Sequence, residues 1–249
     1  MNKLYVGFSK EIEVPEMELP GYSVRRRGLL IDDEAPQIPR ARIFDPLKHS
    51  FNPLAHLDYK EARQIAEVLY TVSPQGENTL TVRNGKRALL RALLDAKRLD
   101  KVKGDEEVGA MIDDILMSPV LKRVFCGKPN FSFEPRSMIV ARLNRAELGD
   151  FDALVLALLL MAHYKGQVVV PDFGFYGREA HVSLIRENRL IAGVNTLAEL
   201  PVKLRQVALL IKDKEAAGAT AEDAETLAIY ARHAPGTVGF RDFVSEAMV

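Results

Sequence analysis

Three apolar runs in this chain end on a side chain able to bind a cation or a phosphate: RARIFD on Asp45, QVVVPD on Asp172 and LIAGVN on Asn195. A carboxylate at the tip of a buried strand can hold magnesium, and an amide beside it can sense a phosphate oxygen. In an open parallel sheet, ligands bind outside the carboxyl ends of the strands. If these three strands are neighbours, their polar tips converge on one crevice. The plainer alternative is that each polar tip binds backbone amides of the turn that follows. The segment FGFYG after Asp172 reads as such a turn.

Phosphoryl transfer requires more than a carboxylate. A GxxxxGK[ST] loop cradles phosphates with backbone amides, neutralises them with lysine and holds magnesium through its hydroxyl. Neither Gly-Lys pair fits: Gly85-Lys86 is followed by Arg87, and Gly127-Lys128 by Pro129. Tight ATP binding at a standard site is therefore not expected, and no cofactor is expected. The five histidines form no HExxH or Cys/His pair, so zinc is not expected either. There is no GxSxG elbow, and the DFG of DFGFYG lacks the kinase loops that would give it meaning. Cys126, the single cysteine, reads as a buried structural thiol in a reducing compartment.

The basic residues offer a second kind of chemistry. Arg25 to Arg27, Arg40 and Arg42, and Arg83, Lys86, Arg87 and Arg91 form clusters. On a helix, Arg83, Arg87 and Arg91 share one face at a spacing of four, which suits a row of phosphates. A solvated face or an interface with a neighbouring subunit is the alternative.

These residues need elements to position them. KLYVGF and YSVRRRGLLI read as extended pieces among turn-forming prolines, and RARIFD as a short strand. A helical cluster follows over 58–125: a helix capped by Asp58, a turn at SPQGEN, a helix over NGKRALLRALLDAKRL, a third over Glu106 to Met117, and a fourth capped by Ser118. RSMIVARL, QVVVPD, LIAGVN and ALLIKD then read as strands. They alternate with the helices FDALVLALLLMAHYKG, REAHVSLIRENR, TLAELPVKLRQV and TAEDAETLAIYARHA, and FRDFVSEAMV reads as a final helix. Such alternation implies a mostly parallel sheet covered by helices, an α/β fold with an inserted helical cluster in one domain spanning 1–249.

The bulk composition agrees with a globular protein. The 249 residues are 47% hydrophobic, and 34 basic side chains balance 34 acidic ones. Zero net charge excludes whole-surface attraction to nucleic acid but leaves room for a local basic stripe. The longest apolar run, ALVLALLLMA, is half the length of a membrane span. The N-terminus lacks a signal-peptide core. A cytoplasmic protein without membrane insertion is expected.

From Arg42 to Ala231 the order of elements resembles the FtsK/HerA superfamily of DNA-translocating ATPases, most of all the TraG/TraD coupling-protein branch. IFDPLKHSFNPL is similar to that family's "DPKG…NP" stretch, QVVVPDF to its magnesium-acid strand, and RENRLIAGVNTLAELP to its "R…G…Q…L" region. The resemblance implies a P-loop NTPase-like core of RecA/FtsK type. It implies Asp172 as the magnesium acid, Asn195 as the polar tip sensing a γ-phosphate, Arg186 or Arg189 as a finger toward a neighbouring subunit, and Asp45 and Lys48 on the nucleotide side. Two departures stand out: Phe173 occupies the place of the water-orienting glutamate, and the phosphate loop is missing. The expectation is a non-hydrolysing relative acting as a DNA-binding or scaffold subunit, with double-stranded DNA and either its own copies or an active ATPase relative as partners. The alternatives are an active motor binding ATP and Mg2+ through an unconventional or partner-supplied site, and a plain interaction module.

Overall fold

A computed structural model describes residues 2–7, 27–33, 38, 40–55, 57–72, 79–216, 219–233 and 238–240. The strands are β1 (Lys3–Val6), β2 (Gly28–Asp32), β3 (Arg42–Phe44), β4 (Met138–Arg142), β5 (Val168–Val170), β6 (Leu190–Val194), β7 (Asp213–Ala216) and β8 (Val238–Phe240). The helices are α1 (Tyr59–Val72), α2 (Thr79–Asp95), α3 (Glu106–Met117), α4 (Pro119–Cys126), α5 (Arg145–Leu148), α6 (Asp150–His163), α7 (Phe173–Tyr176), α8 (Val182–Arg186), α9 (Val202–Ala208) and α10 (Ala221–His233). The SPQGEN turn, Arg25, Arg26 and all but the first residue of the expected last helix lie outside the described residues.

The fold is α/β, with parallel strands and flanking helices, and it divides into two compact units. The first comprises residues 1–32, 136–138 and 166–249, and the second residues 33–135 and 139–165. In the first unit the strand order is β2-β5-β6-β1-β7-β8, and every described register within it is parallel. Val168, Val170, Leu190, Leu4 and Val6 are fully buried. Continuous burial along β1 and β5 means both sheet faces are covered, which is why these strands are unbroken apolar runs rather than alternating ones.

In the second unit β3 lies parallel to β4, with Ile43 opposite Val140. Helices α1 to α4 belong here with α5 and α6. Helix α6 is buried nearly all round, from Val155 to Met161 without a break, as expected for a helix apolar on every face. Beside β3, the rings of Phe44, Phe51, Phe131 and Phe133 pack with centroids 4.9 to 5.7 Å apart, mostly edge to face. That geometry suits the aromatic quadrupole.

Local chemistry explains the helix starts. Asp58 accepts from the Glu61 N–H at 2.8 Å while the Glu61 carboxylate accepts from the Asp58 N–H at 3.0 Å, a complete capping box at α1. Asp105 accepts from the Val108 N–H at α3, and Ser118 from the Leu121 N–H at α4, with Pro119 opening that helix.

Several readings of the chain change. TLAELPVKLRQV is not one helix: a single 3-10 turn covers Leu197–Glu199, and α9 starts after Pro201. ALLIKD is not a strand: Ala208 ends α9, a turn follows at Leu209 and Leu210, and the strand β7 begins only at the run's last residue, covering Asp213–Ala216, DKEA. Leu209 and Ile211 are buried in leaving the helix, and a short apolar run does not separate that arrangement from a strand. The FGFYG segment is likewise a short helix, α7, rather than an open turn.

Candidate functional site

Strands β5 and β6 pair in parallel with Val170 opposite Ala192, so their carboxyl ends share one edge of the first unit. Asp172 follows β5 through Pro171 and heads α7, and Asn195 follows β6 directly. The sequence pattern groups three polar tips. Two of them follow these paired strands, and the third, Asp45, follows β3 in the second unit.

The tip of β6 is tied on three sides. Asn195 donates its backbone N–H to Glu199 Oε2 at 3.1 Å and its side-chain amide to Glu199 Oε1 at 3.0 Å. The Asn195 carbonyl accepts from the Gly7 N–H at 3.1 Å, and the same N–H lies 2.9 Å from the Val194 carbonyl. Gly7 ends β1 with φ of 87°, a left-handed conformation that favours glycine. Glu199 sits in a single 3-10 turn, Leu197–Glu199, capped by the Thr196 hydroxyl. Its carboxylate occupies the space that a Cβ on Gly174 would take. The residue after β5 also approaches closely, since a Cβ on Gly193 would meet the Pro171 carbonyl.

A buried aromatic and imidazole cluster lies at α7. Phe173 and Tyr176 are buried, and His181 stacks 5.9 Å from Phe173 at a tilt. His181 is 2% exposed, and its Nδ1 accepts from the Arg178 N–H at 3.1 Å. Burial, with Arg178 adding to it, pushes the imidazole down to about 3. The Arg178 guanidinium donates to the carbonyls of Phe175 and Gly177, each at 2.8 Å. These two side chains therefore lock the chain after α7.

Neither candidate arginine sits at this tip. Arg189 immediately precedes β6 and donates to the Gly166 carbonyl at 3.1 Å, just ahead of β5, while pairing with Glu187 at 2.7 Å. It joins the amino ends of the two strands. Arg186 closes α8 and is exposed. The five residues of β6 put roughly 16 Å between this edge and Asn195.

Asp45 and Lys48 come together, but with each other. Their side chains pair at 3.1 Å, Arg142 lies 3.8 Å from the same carboxylate, and the Leu47 N–H donates to Asp45 at 2.9 Å. Burial alone would raise the Asp45 carboxyl, but the amide and the two cations outweigh it and hold it below its usual value. This is the turn-binding arrangement of an aspartate at a strand end.

The basic row on α2 is formed as its spacing implies. Arg83, Arg87 and Arg91 are exposed and make no ion pair or hydrogen bond among the described residues. Lys86 departs from the row: it is half-buried with its ammonium 5.7 Å from the Tyr70 ring. Cys126 is half-buried rather than buried; desolvation, then nearby Asp100, pushes its thiol up.

Sequence reasoning missed Glu199, Gly174 and Gly7. The signal for Glu199 was its spacing of four from Asn195 across a Thr cap; the other two depend on contacts between distant segments. No helix of the described residues is long and apolar enough to cross a membrane. Compared with protein-family models, curated proteins and solved structures, the chain matches none of them.

Proposed function

We propose that this chain is a non-hydrolysing relative of DNA-pumping ATPases that serves as a DNA-contacting scaffold subunit. The observation that carries the non-hydrolysing half is the Glu199 carboxylate at the β6 tip, held by the backbone N–H and the side-chain amide of Asn195 and seated over Gly174. A γ-phosphate sensor must offer donors to an anion. Here two N–H groups of Asn195 already go to Glu199, and the group presented is itself an anion. The phosphate-neutralising lysine and the glycine-rich loop that a magnesium nucleotide needs beside its carboxylate are missing from the sequence.

Mixing the protein with magnesium-ATP, with and without duplex DNA, tests this reading. No sustained turnover and no tight nucleotide binding are expected. Hydrolysis that is abolished by Asp172→Ala would overturn it and make the chain an active motor subunit.

A further inference from the structure

We infer that the exposed face of α2 is a phosphate-backbone contact surface for a nucleic-acid duplex, read without sequence preference. The inference rests on the DNA-contacting half of the proposed function and says where that contact lies. Arg83, Arg87 and Arg91 follow one another at successive turns of one 17-residue helix. At about 1.5 Å rise per residue, the row spans about 12 Å. That length covers several phosphates of one strand, which are spaced about 3.4 Å along the duplex axis.

Two observations make the row more than a wet helix face. Its like charges stand four apart, 83 against 87 and 87 against 91, an arrangement that weakens a helix rather than supporting it. The usual remedy, a carboxylate three or four residues away, is missing at Arg83 and Arg87: their neighbours at those spacings are Leu80, Thr79, Lys86, Asn84 and Leu90, and each other and Arg91. Asp95 stands four residues beyond Arg91, yet no ion pair joins them among the described residues. A polyanion lying along the row would relieve the repulsion that the free helix sustains.

The surroundings favour nucleic acid over an acidic protein. A protein interface depends on apolar anchors at its centre. Along this face the exposed neighbours are Asn84 and Asp95, and Leu94, 42% exposed, is the only large apolar side chain exposed on the helix among the described residues. Guanidinium groups without aromatic or aliphatic anchors suit repeated phosphates, and they carry no base readout.

The experiment measures binding of the full chain to a duplex of random sequence across a salt series, with polyglutamate as a competing anion. The comparison set is wild type, the triple variant Arg83→Gln, Arg87→Gln and Arg91→Gln, and the same three positions changed to lysine. Three phosphate contacts contribute about −2.7 to the slope of log affinity against log salt. Between 50 and 200 mM salt the wild type is then expected to lose about 40-fold more affinity than the glutamine variant. The lysine variant should keep the wild-type slope. Two different duplex sequences should bind alike, and a melting temperature no lower than wild type shows that the glutamine variant is folded. Equal affinity and slope for wild type and the glutamine variant would overturn the inference while leaving DNA contact elsewhere on the chain intact. Polyglutamate binding as tightly as the duplex would reassign the face to an acidic protein. No duplex binding by the wild type at low salt would sink the DNA-contacting reading itself.

Discussion

Asn195 clamps one carboxylate from two directions: its backbone N–H and its side-chain amide meet the two oxygens of Glu199 at 3.1 and 3.0 Å. The same carboxylate fills the space above Gly174. Glycine at 174 and glutamate at 199 are therefore conditions of one another, although 25 residues separate them in the chain.

Gly174→Ala should cost about 1 kcal/mol, because the new methyl displaces Glu199 and two exposed hydrogen bonds weaken. In a Glu199→Ala background the same change should cost less, because the carboxylate is gone and only the Cβ of residue 199, 3.1 Å from the new methyl, has to yield. Urea unfolding of the four proteins in this cycle measures the coupling. Additive effects would show that Glu199 does not occupy the space above Gly174.

Gly193→Ala should be more costly. Its Cβ would meet the Pro171 carbonyl, which is backbone immediately after β5 and has no side-chain freedom to yield. A loss of about 1 to 3 kcal/mol is expected from overpacking. A denaturation midpoint unchanged from wild type would contradict the close approach of β5 and β6.

Asp223→Ala tests a different kind of site. Asp223 is 5% exposed, and both its oxygens lie 3.2 Å from the Leu197 N–H. The Thr220 hydroxyl accepts from the Asp223 N–H at 3.2 Å, which is one half of a capping box. The carboxylate reaches another segment instead of completing the box. Removing it leaves a buried donor unsatisfied, at about 1 to 3 kcal/mol. Thr220→Ala, which removes only a cap, should cost about 1 kcal/mol.

Acid should destabilise the protein through His181. Its folded-state imidazole titrates at about 3 instead of 6.5, so between those values the unfolded chain binds a proton that the folded chain refuses. Stability is then fully present above pH 6.5 and falls as the pH drops toward 3, with a slope of up to about 1.4 kcal/mol per pH unit. Asp45, whose carboxyl is held low by the Leu47 amide, Lys48 and Arg142, adds a loss in the same direction at lower pH. His181→Asn keeps an acceptor for the Arg178 N–H and should flatten the limb between pH 6.5 and 4. Identical pH profiles would refute the assignment.

Much of the fold was legible because α/β proteins write it twice, in periodicity and in caps. Helix α3 runs from Glu106 to Met117 as its pattern indicates, and Ser118 starts α4. The buried strands β5 and β6 announce themselves as VVV and LIAGV. The row on α2 was legible for the same reason, since a spacing of four on a helix means one face. What escaped was tertiary. DKEA carries no apolar pattern, and it is a strand because it lies beside β1, where Lys3 pairs with Glu215 at 2.9 Å. Glu199 reads as an ordinary helix residue until Gly174 is beneath it. The partnership of Asp45 and Lys48 was visible as proximity in sequence, but whether they face a ligand or one another depends on how the turn after β3 folds.

Helix α6, with its unbroken buried stretch from Val155 to Met161, sets the order in which the second unit can open. Its amides reach water only after the elements around it have separated, whereas a helix with one wet face can fray in place. Hydrogen exchange should therefore be slowest there, at the free energy of global unfolding, and α2 should exchange through local openings well below that limit. The surface that meets a long charged partner would be carried by a part of the second unit that can yield, in the same unit as a helix that cannot.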